Sequence, residues 1–105
     1  MDLKQHADWL TKFYKKHKWF ELSPEIRMNF LLEESGELAR AIRTEEIGRE
    51  HPGEAKKTKA EADDNLHEEL ADVLDQLLIL CAKYDIDPNS LLSYSENKLH
   101  KRWNE

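Results

Sequence analysis

Two acidic motifs, EESGE at Glu33 to Glu37 and EELAD at Glu68 to Asp72, constrain the folding of this chain more than any other feature. Residues three apart on a helix share a face, so Glu34 falls beside Glu37 and Glu69 beside Asp72. If the two faces meet, four carboxylates lie together. Like charges at that density repel, and a hard divalent cation such as Mg²⁺ among them is the simplest physical reason to gather them.

The rest of the chain is built for helices. It has 15 Leu, one Val and only three Gly, which leaves little material for a sheet. Leu, Ile, Val and Phe together make 24 of 105 residues, close to the roughly 20% below which charged chains tend to disorder, so patterning must rescue the fold. At this length residues 1–105 form one domain whose core is feasible but thin, and self-association would help to bury what is left over. The expectation is an all-α, four-helix, bundle-type fold completed by oligomerisation.

A net charge of −6 argues against a grip on nucleic acid polymers, which needs a basic footprint. A single cysteine, Cys81, excludes an intrachain disulfide and reads as a small buried hydrophobe. The N-terminus has no apolar run fit for a signal peptide. The longest apolar stretch, Leu77 to Ala82, is far short of the roughly 20 residues of a membrane span, so the expected location is cytoplasmic with no membrane partner.

Leu3, Ala7, Leu10, Phe13 and Tyr14 mark the apolar stripe of a first helix ending near Lys18, with a Lys-rich outer face. Ser23, Pro24 and Glu25 open a second helix that runs to about Thr44. The polar stretch from Thr44 to Asp64, with His51, Pro52 and Gly53 at its centre, reads as a loop. A third, central helix spans about Asp63 to Tyr84, with Leu66, Leu70, Val73, Leu77, Leu80 and Tyr84 in register. Asp87 and Pro88 repeat the cap-then-proline start and open a shorter fourth helix with Leu91, Leu92, Leu99 and Trp103 on its apolar side.

On the second helix Glu34 sits mid-arc among Phe30, Ala41, Leu31 and Leu38, with Glu37 at the edge of the arc and Glu33 further toward the polar side. An ionised carboxylate there needs coordination or a buried partner from a neighbouring helix. Glu69 and Asp72 border the apolar arc of the third helix, where together with Glu68 and Asp75 they form either a metal-binding edge or a solvated band. On the fourth helix Tyr94, Lys98, Lys101 and Arg102 share one side, which suits either a phosphate clamp or plain complementarity to a helix C-terminus. Trp19 and Phe20 either stack on a base or seal the end of the core. No zinc-type Cys/His pattern and no glycine-rich phosphate loop is present.

The joined motifs resemble the all-α nucleotide pyrophosphohydrolases of the MazG-like type, whose EExxE helix is followed after a loop by an ExxD helix. Glu33, Glu34 and Glu37 match the first half, Glu69 and Asp72 the second, and the resemblance covers about residues 19 to 102. It implies Mg²⁺-dependent cleavage between the α- and β-phosphates of a nucleoside triphosphate to give the monophosphate and pyrophosphate, with Mn²⁺ as a substitute ion and nucleotide-pool house-cleaning as a role. It further implies that Glu34, Glu37, Glu69 and Asp72 bind metal and that Glu33 activates water. Lys98, Lys101 and Arg102, with Tyr94 on the same side, would contact phosphates, and Trp19 would stack on the base. Family members of this size form homodimers or homotetramers.

Phosphoribosyl-ATP pyrophosphohydrolase is the nearest enzymatic alternative, but its second motif usually continues into a Tyr-His pair where this chain has Val73, Leu74 and Asp75. A noncatalytic helical interaction module with acidic faces is the alternative from another class.

Overall fold

The computed structural model describes residues 1–49 and 51–104; Glu50, inside the predicted loop, and Glu105, at the end of the predicted domain, lie outside the described residues. Among the described residues the fold is all-α. It has four helices, α1 (Leu3–Lys16), α2 (Pro24–Ile47), α3 (Lys59–Lys83) and α4 (Pro88–Trp103), and a 3₁₀ turn at Trp19–Glu21. They group into two units, Met1–Pro24 with Leu78–Glu105, and Glu25–Leu77.

In the first unit, α1 opens with a reciprocal cap. The Asp2 carboxylate accepts from the Gln5 amide, and the Gln5 side chain accepts from the Asp2 amide, both at 2.8 Å, which satisfies two amides that the helix start leaves orphaned. Ala7 and Leu10 then pack with Leu78 and Ile79 from the end of α3, flanked by Leu3, Tyr14 and Phe20. The helix ends at Lys16, two residues short of the expected end, because Lys18 adopts a left-handed conformation with φ 63° and starts the 3₁₀ turn. Phe13, expected in the apolar stripe, instead joins a run of rings on the exposed side, 5.5 Å from Trp9 and 4.5 Å from His17.

α3 ends in a Schellman arrangement. Asp85 takes φ 54°, and the Ile86 amide donates back to the Cys81 carbonyl at 2.9 Å. Cys81 is only half-buried. Asp87 caps α4 as its sequence suggests, accepting from the Asn89 amide at 2.9 Å with Pro88 in the first turn. The apolar side of α4 is not buried within the chain, however: Leu91, Leu92, Leu99 and Trp103 all stay exposed.

The second unit is a helical hairpin of α2 and most of α3. Both helices reach further into the predicted loop than expected, leaving residues 48–58 as the connection. Gly48 ends α2 with φ 77°, a conformation that suits glycine, and its amide donates to the Thr44 carbonyl at 2.8 Å. The Lys57 amide returns to the Gly48 carbonyl at 2.7 Å and closes the loop. Thr58 and Glu61 then form a second reciprocal cap, at 2.9 and 3.1 Å.

Ala41, Thr44, Ala62 and Gln76 are buried, as is Arg27. The expected stripe of α3 is covered only in part, since Leu70, Leu77 and Tyr84 remain exposed while Leu66, Val73 and Leu80 are half-buried. A helix can present an apolar stripe without a partner in its own chain to cover it.

Candidate metal centre

Two side-chain pairs fix the register of the hairpin. Near one end, Nη1 of Arg27 donates to Oε1 of Gln76 at 3.5 Å. At the loop end the ammonium of Lys59 meets Glu45 at 2.9 Å and Asp63 at 2.7 Å. Residue numbers on α2 fall as those on α3 rise, so the helices run antiparallel, and the level between the two pairs belongs to the acidic motifs.

There Glu34, Glu69 and Asp72 converge, each offering a carboxylate oxygen within 4.8 Å of the others. All three are half-buried. Oε2 of Glu69 is buried and has no hydrogen-bond partner. An orphan oxygen does not by itself mark the place, since Oε1 of Glu45 is also buried without a partner, but Glu45 has Lys59 on its other oxygen. No lysine or arginine pairs with the triad among the described residues.

The electrostatics follow from this geometry. Burial, then Asp72 and Glu37, holds the Glu34 carboxyl above its usual range. Burial, then Asp72 and Glu34, does the same to Glu69, and burial followed by Asp75 raises Asp72. Desolvation and like charge both oppose ionisation, and a cation among the oxygens would relieve both. Three carboxylates with an orphaned oxygen suit a hard divalent ion, with no nitrogen or sulfur donor in the group.

The remaining predicted residues fall in three places. Glu37 is exposed beside the triad, with its carboxylate 3.4 Å from Arg40. Glu33 is exposed on α2 next to Glu34. Tyr94, Lys98, Lys101 and Arg102 are exposed on α4 in the first unit, where Tyr94, Lys98 and Lys101 line a shallow groove with Asn97. Trp19, also in the first unit, stacks on His17 at 4.7 Å and meets Tyr14 edge-on at 5.4 Å, with nearly half its surface exposed.

Arg27 and Gln76 were not expected near the site, and Phe30 was expected only as an apolar neighbour of Glu34 on α2. The guanidinium of Arg27 lies over the Phe30 ring, 4.6 Å from its centroid. A signal existed, because an arginine two turns before Glu34 falls on the same apolar arc and is as hard to explain by solvation.

Residues 22–105 match the MazG nucleotide pyrophosphohydrolase domain. The chain is also 41% identical over 103 residues to the uncharacterized protein YvdC of Bacillus subtilis (strain 168), an alignment that covers 98% of this chain and 97% of that one. No solved structure matches it.

Proposed function

The chain belongs to the MazG nucleotide pyrophosphohydrolase family, and on that premise we propose that it hydrolyses nucleoside triphosphates between the α- and β-phosphates, as a nucleotide-pool house-cleaning enzyme. The observation that carries the reading is the convergence of Glu34, Glu69 and Asp72 with no lysine or arginine paired to them among the described residues. Divalent-metal dependence is general in this family, and the oxygen donors suit Mg²⁺, with Mn²⁺ as a substitute. Glu34, Glu69 and Asp72, with Glu37 beside them, would hold the ion. The ion's chemistry is to neutralise the polyphosphate and stabilise charge developing on the leaving pyrophosphate.

The chain's own residues do the rest. Glu33, exposed and next to Glu34, orients the attacking water and takes its proton as oxygen adds to the α-phosphorus. The bond from that phosphorus to the bridging oxygen breaks, and pyrophosphate leaves with the electron pair. By family resemblance Lys98, Lys101 and Arg102, with Tyr94, bind phosphate oxygens, and Trp19 stacks on the base. Their exposure and charge support those roles.

Self-association as a homodimer or homotetramer is part of the proposal, because Leu91, Leu92, Leu99 and Trp103 stay exposed on one side of α4, where a partner could cover them. Among the described residues no helix is long and apolar enough to cross a membrane. The test is pyrophosphate release from a panel of nucleoside triphosphates with Mg²⁺ and with EDTA. Release that depends on Mg²⁺ is expected. Its absence across the panel would leave the noncatalytic interaction module standing, while release from phosphoribosyl-ATP alone would favour the other enzyme.

A further inference from the structure

The hairpin also holds a buried cation beneath a partly exposed ring. Arg27 is 4% exposed, whereas Phe30, on the next turn, is 37% exposed. The guanidinium carbon stands 4.6 Å from the ring centroid, and Gln76, itself buried, accepts from Nη1 at 3.5 Å. What the arrangement provides is a ring backed on one face by a cation and held by a hydrogen bond across the two helices.

The ring shares a helix with Glu34 of the acid triad. At roughly 100° per residue, Arg27, Phe30 and Glu34 fall within about 60° of one another on α2, and Phe30 is about one turn from Glu34. It also lies on the open edge. Glu33 and Glu37, on the Phe30 side of Glu34, are exposed, while Leu31 and Leu38 on the other side are half-buried. A triphosphate that reaches the carboxylates through this edge with its base toward the start of α2 carries that base past Phe30.

We infer that Phe30 is a stacking platform for the nucleobase, additional to Trp19, with Arg27 as the positioning residue that backs the ring; this rests on the triphosphate hydrolysis proposed above. Every base has a π face, so such a platform distinguishes a base-bearing triphosphate from one without a base and discriminates weakly among bases. The substrate class is therefore nucleoside triphosphates of either ring size rather than one base.

The test compares steady-state hydrolysis of purine and pyrimidine triphosphates with that of an abasic deoxyribose triphosphate, with melting curves for each variant. Phe30→Leu should raise KM for the nucleotides about tenfold, the scale of one lost stacking contact. It should leave kcat, and both constants on the abasic triphosphate, within about twofold. Arg27→Met should shift the nucleotide KM in the same direction, and Arg27→Lys should restore part of it.

A Phe30→Leu protein with an unaltered nucleotide KM, or with equal losses on both substrate types, overturns the inference. If Phe30→Leu does not fold, Phe30→Trp decides. A nucleotide KM equal to or below that of the unmodified protein, with the abasic constants unchanged, supports the platform, and a rise on both substrate types overturns it. If the unmodified protein releases pyrophosphate from no triphosphate, the hydrolase reading falls and takes the platform with it. Normal release together with an indifferent Phe30→Leu removes the platform alone.

Discussion

At the loop end of the α2–α3 hairpin, Glu45 and Asp63 share the ammonium of Lys59, at 2.9 and 2.7 Å. Midway along the same two helices Glu34, Glu69 and Asp72 stand within 4.8 Å of one another with no lysine or arginine paired to them among the described residues. The carboxyl groups respond in opposite ways. A hydrogen bond from Lys59 is the main cause that holds Asp63 below its usual range, whereas burial and then neighbouring carboxylates hold the triad above it. The chain has 16 lysines and arginines, and Lys59 is placed by an ordinary i, i+4 spacing to Asp63. Neutralising a pair of acids is therefore easy for this fold. Leaving three of them to repel is the exception, and it coincides with the family's acidic motifs.

The contrast breaks most sharply by mutation of the triad. Glu34→Gln and Asp72→Asn keep size and remove charge, so each should cut pyrophosphate release on the order of 100-fold or more. In EDTA neither should lower the melting temperature, because a repulsive charge has been removed. A variant that hydrolyses normally would put the reaction elsewhere. Glu33→Gln should lose turnover to a similar extent yet keep its thermal response to Mg²⁺. Near-normal turnover would pass the role of base to Glu37.

Ion binding should separate the two regions next. An ion that binds only the folded triad at 100 times its Kd adds about 2.7 kcal/mol of stability, which for a domain of this size is a rise in Tm well beyond experimental error. Mg²⁺ should produce that rise in the unmodified protein and in Lys59→Met, and should fail to produce it in Glu34→Gln. Equal stabilisation of all three would place the ion outside the triad.

A smaller effect is expected at α4. If Arg102 clamps the polyphosphate, Arg102→Ala should weaken nucleotide binding by about 1.5–3 kcal/mol, the range for hydrogen bonds to charged groups. Its Mg²⁺ response without nucleotide should be unchanged. An unaltered KM and turnover would remove this helix from substrate binding.

The pH dependence of stability in EDTA should be gentler still, and opposite in sign for the two regions. A carboxyl whose folded pKa is raised binds its proton more tightly when folded. For the triad, stability therefore rises as pH falls from the raised value toward the ordinary carboxylate value, and then levels off. Asp63, with its folded pKa lowered, contributes stability that is present above the ordinary value and is lost as pH falls through the lowered one. Melting curves from pH 7 to about 4 should show the first trend weakened in Glu34→Gln, and curves from about pH 4 down to about 2 should show the second weakened in Lys59→Met. The same slope in both variants would dissolve the comparison.

How much of this was legible in advance depended on whether the cause was local. The start of α4 at Asp87 and Pro88 and the shared faces of Glu34 with Glu37 and of Glu69 with Asp72 follow from neighbours a few residues apart. Thr58 and Glu61 carry the T-x-x-E signature of a cap and were readable by the same rules. They went unread because the surrounding polarity suggested loop. The apolar stripes of α3 and α4 were readable as stripes, but burial depends on what packs against them, and Leu70, Leu77, Leu92 and Trp103 find no cover in the chain itself.

By itself the sequence determined the helices, their acidic and apolar faces, and the residue types that suit a hard cation. Tertiary structure decided which of those acids meet. The length and closure of the 48–58 connection set the register of α3 against α2, bringing Lys59 to Glu45, Gln76 to Arg27, and Glu69 and Asp72 to Glu34. A shift of one residue turns a helical side chain by about 100°. The contacts span tens of residues, and no periodicity within either helix encodes their alignment.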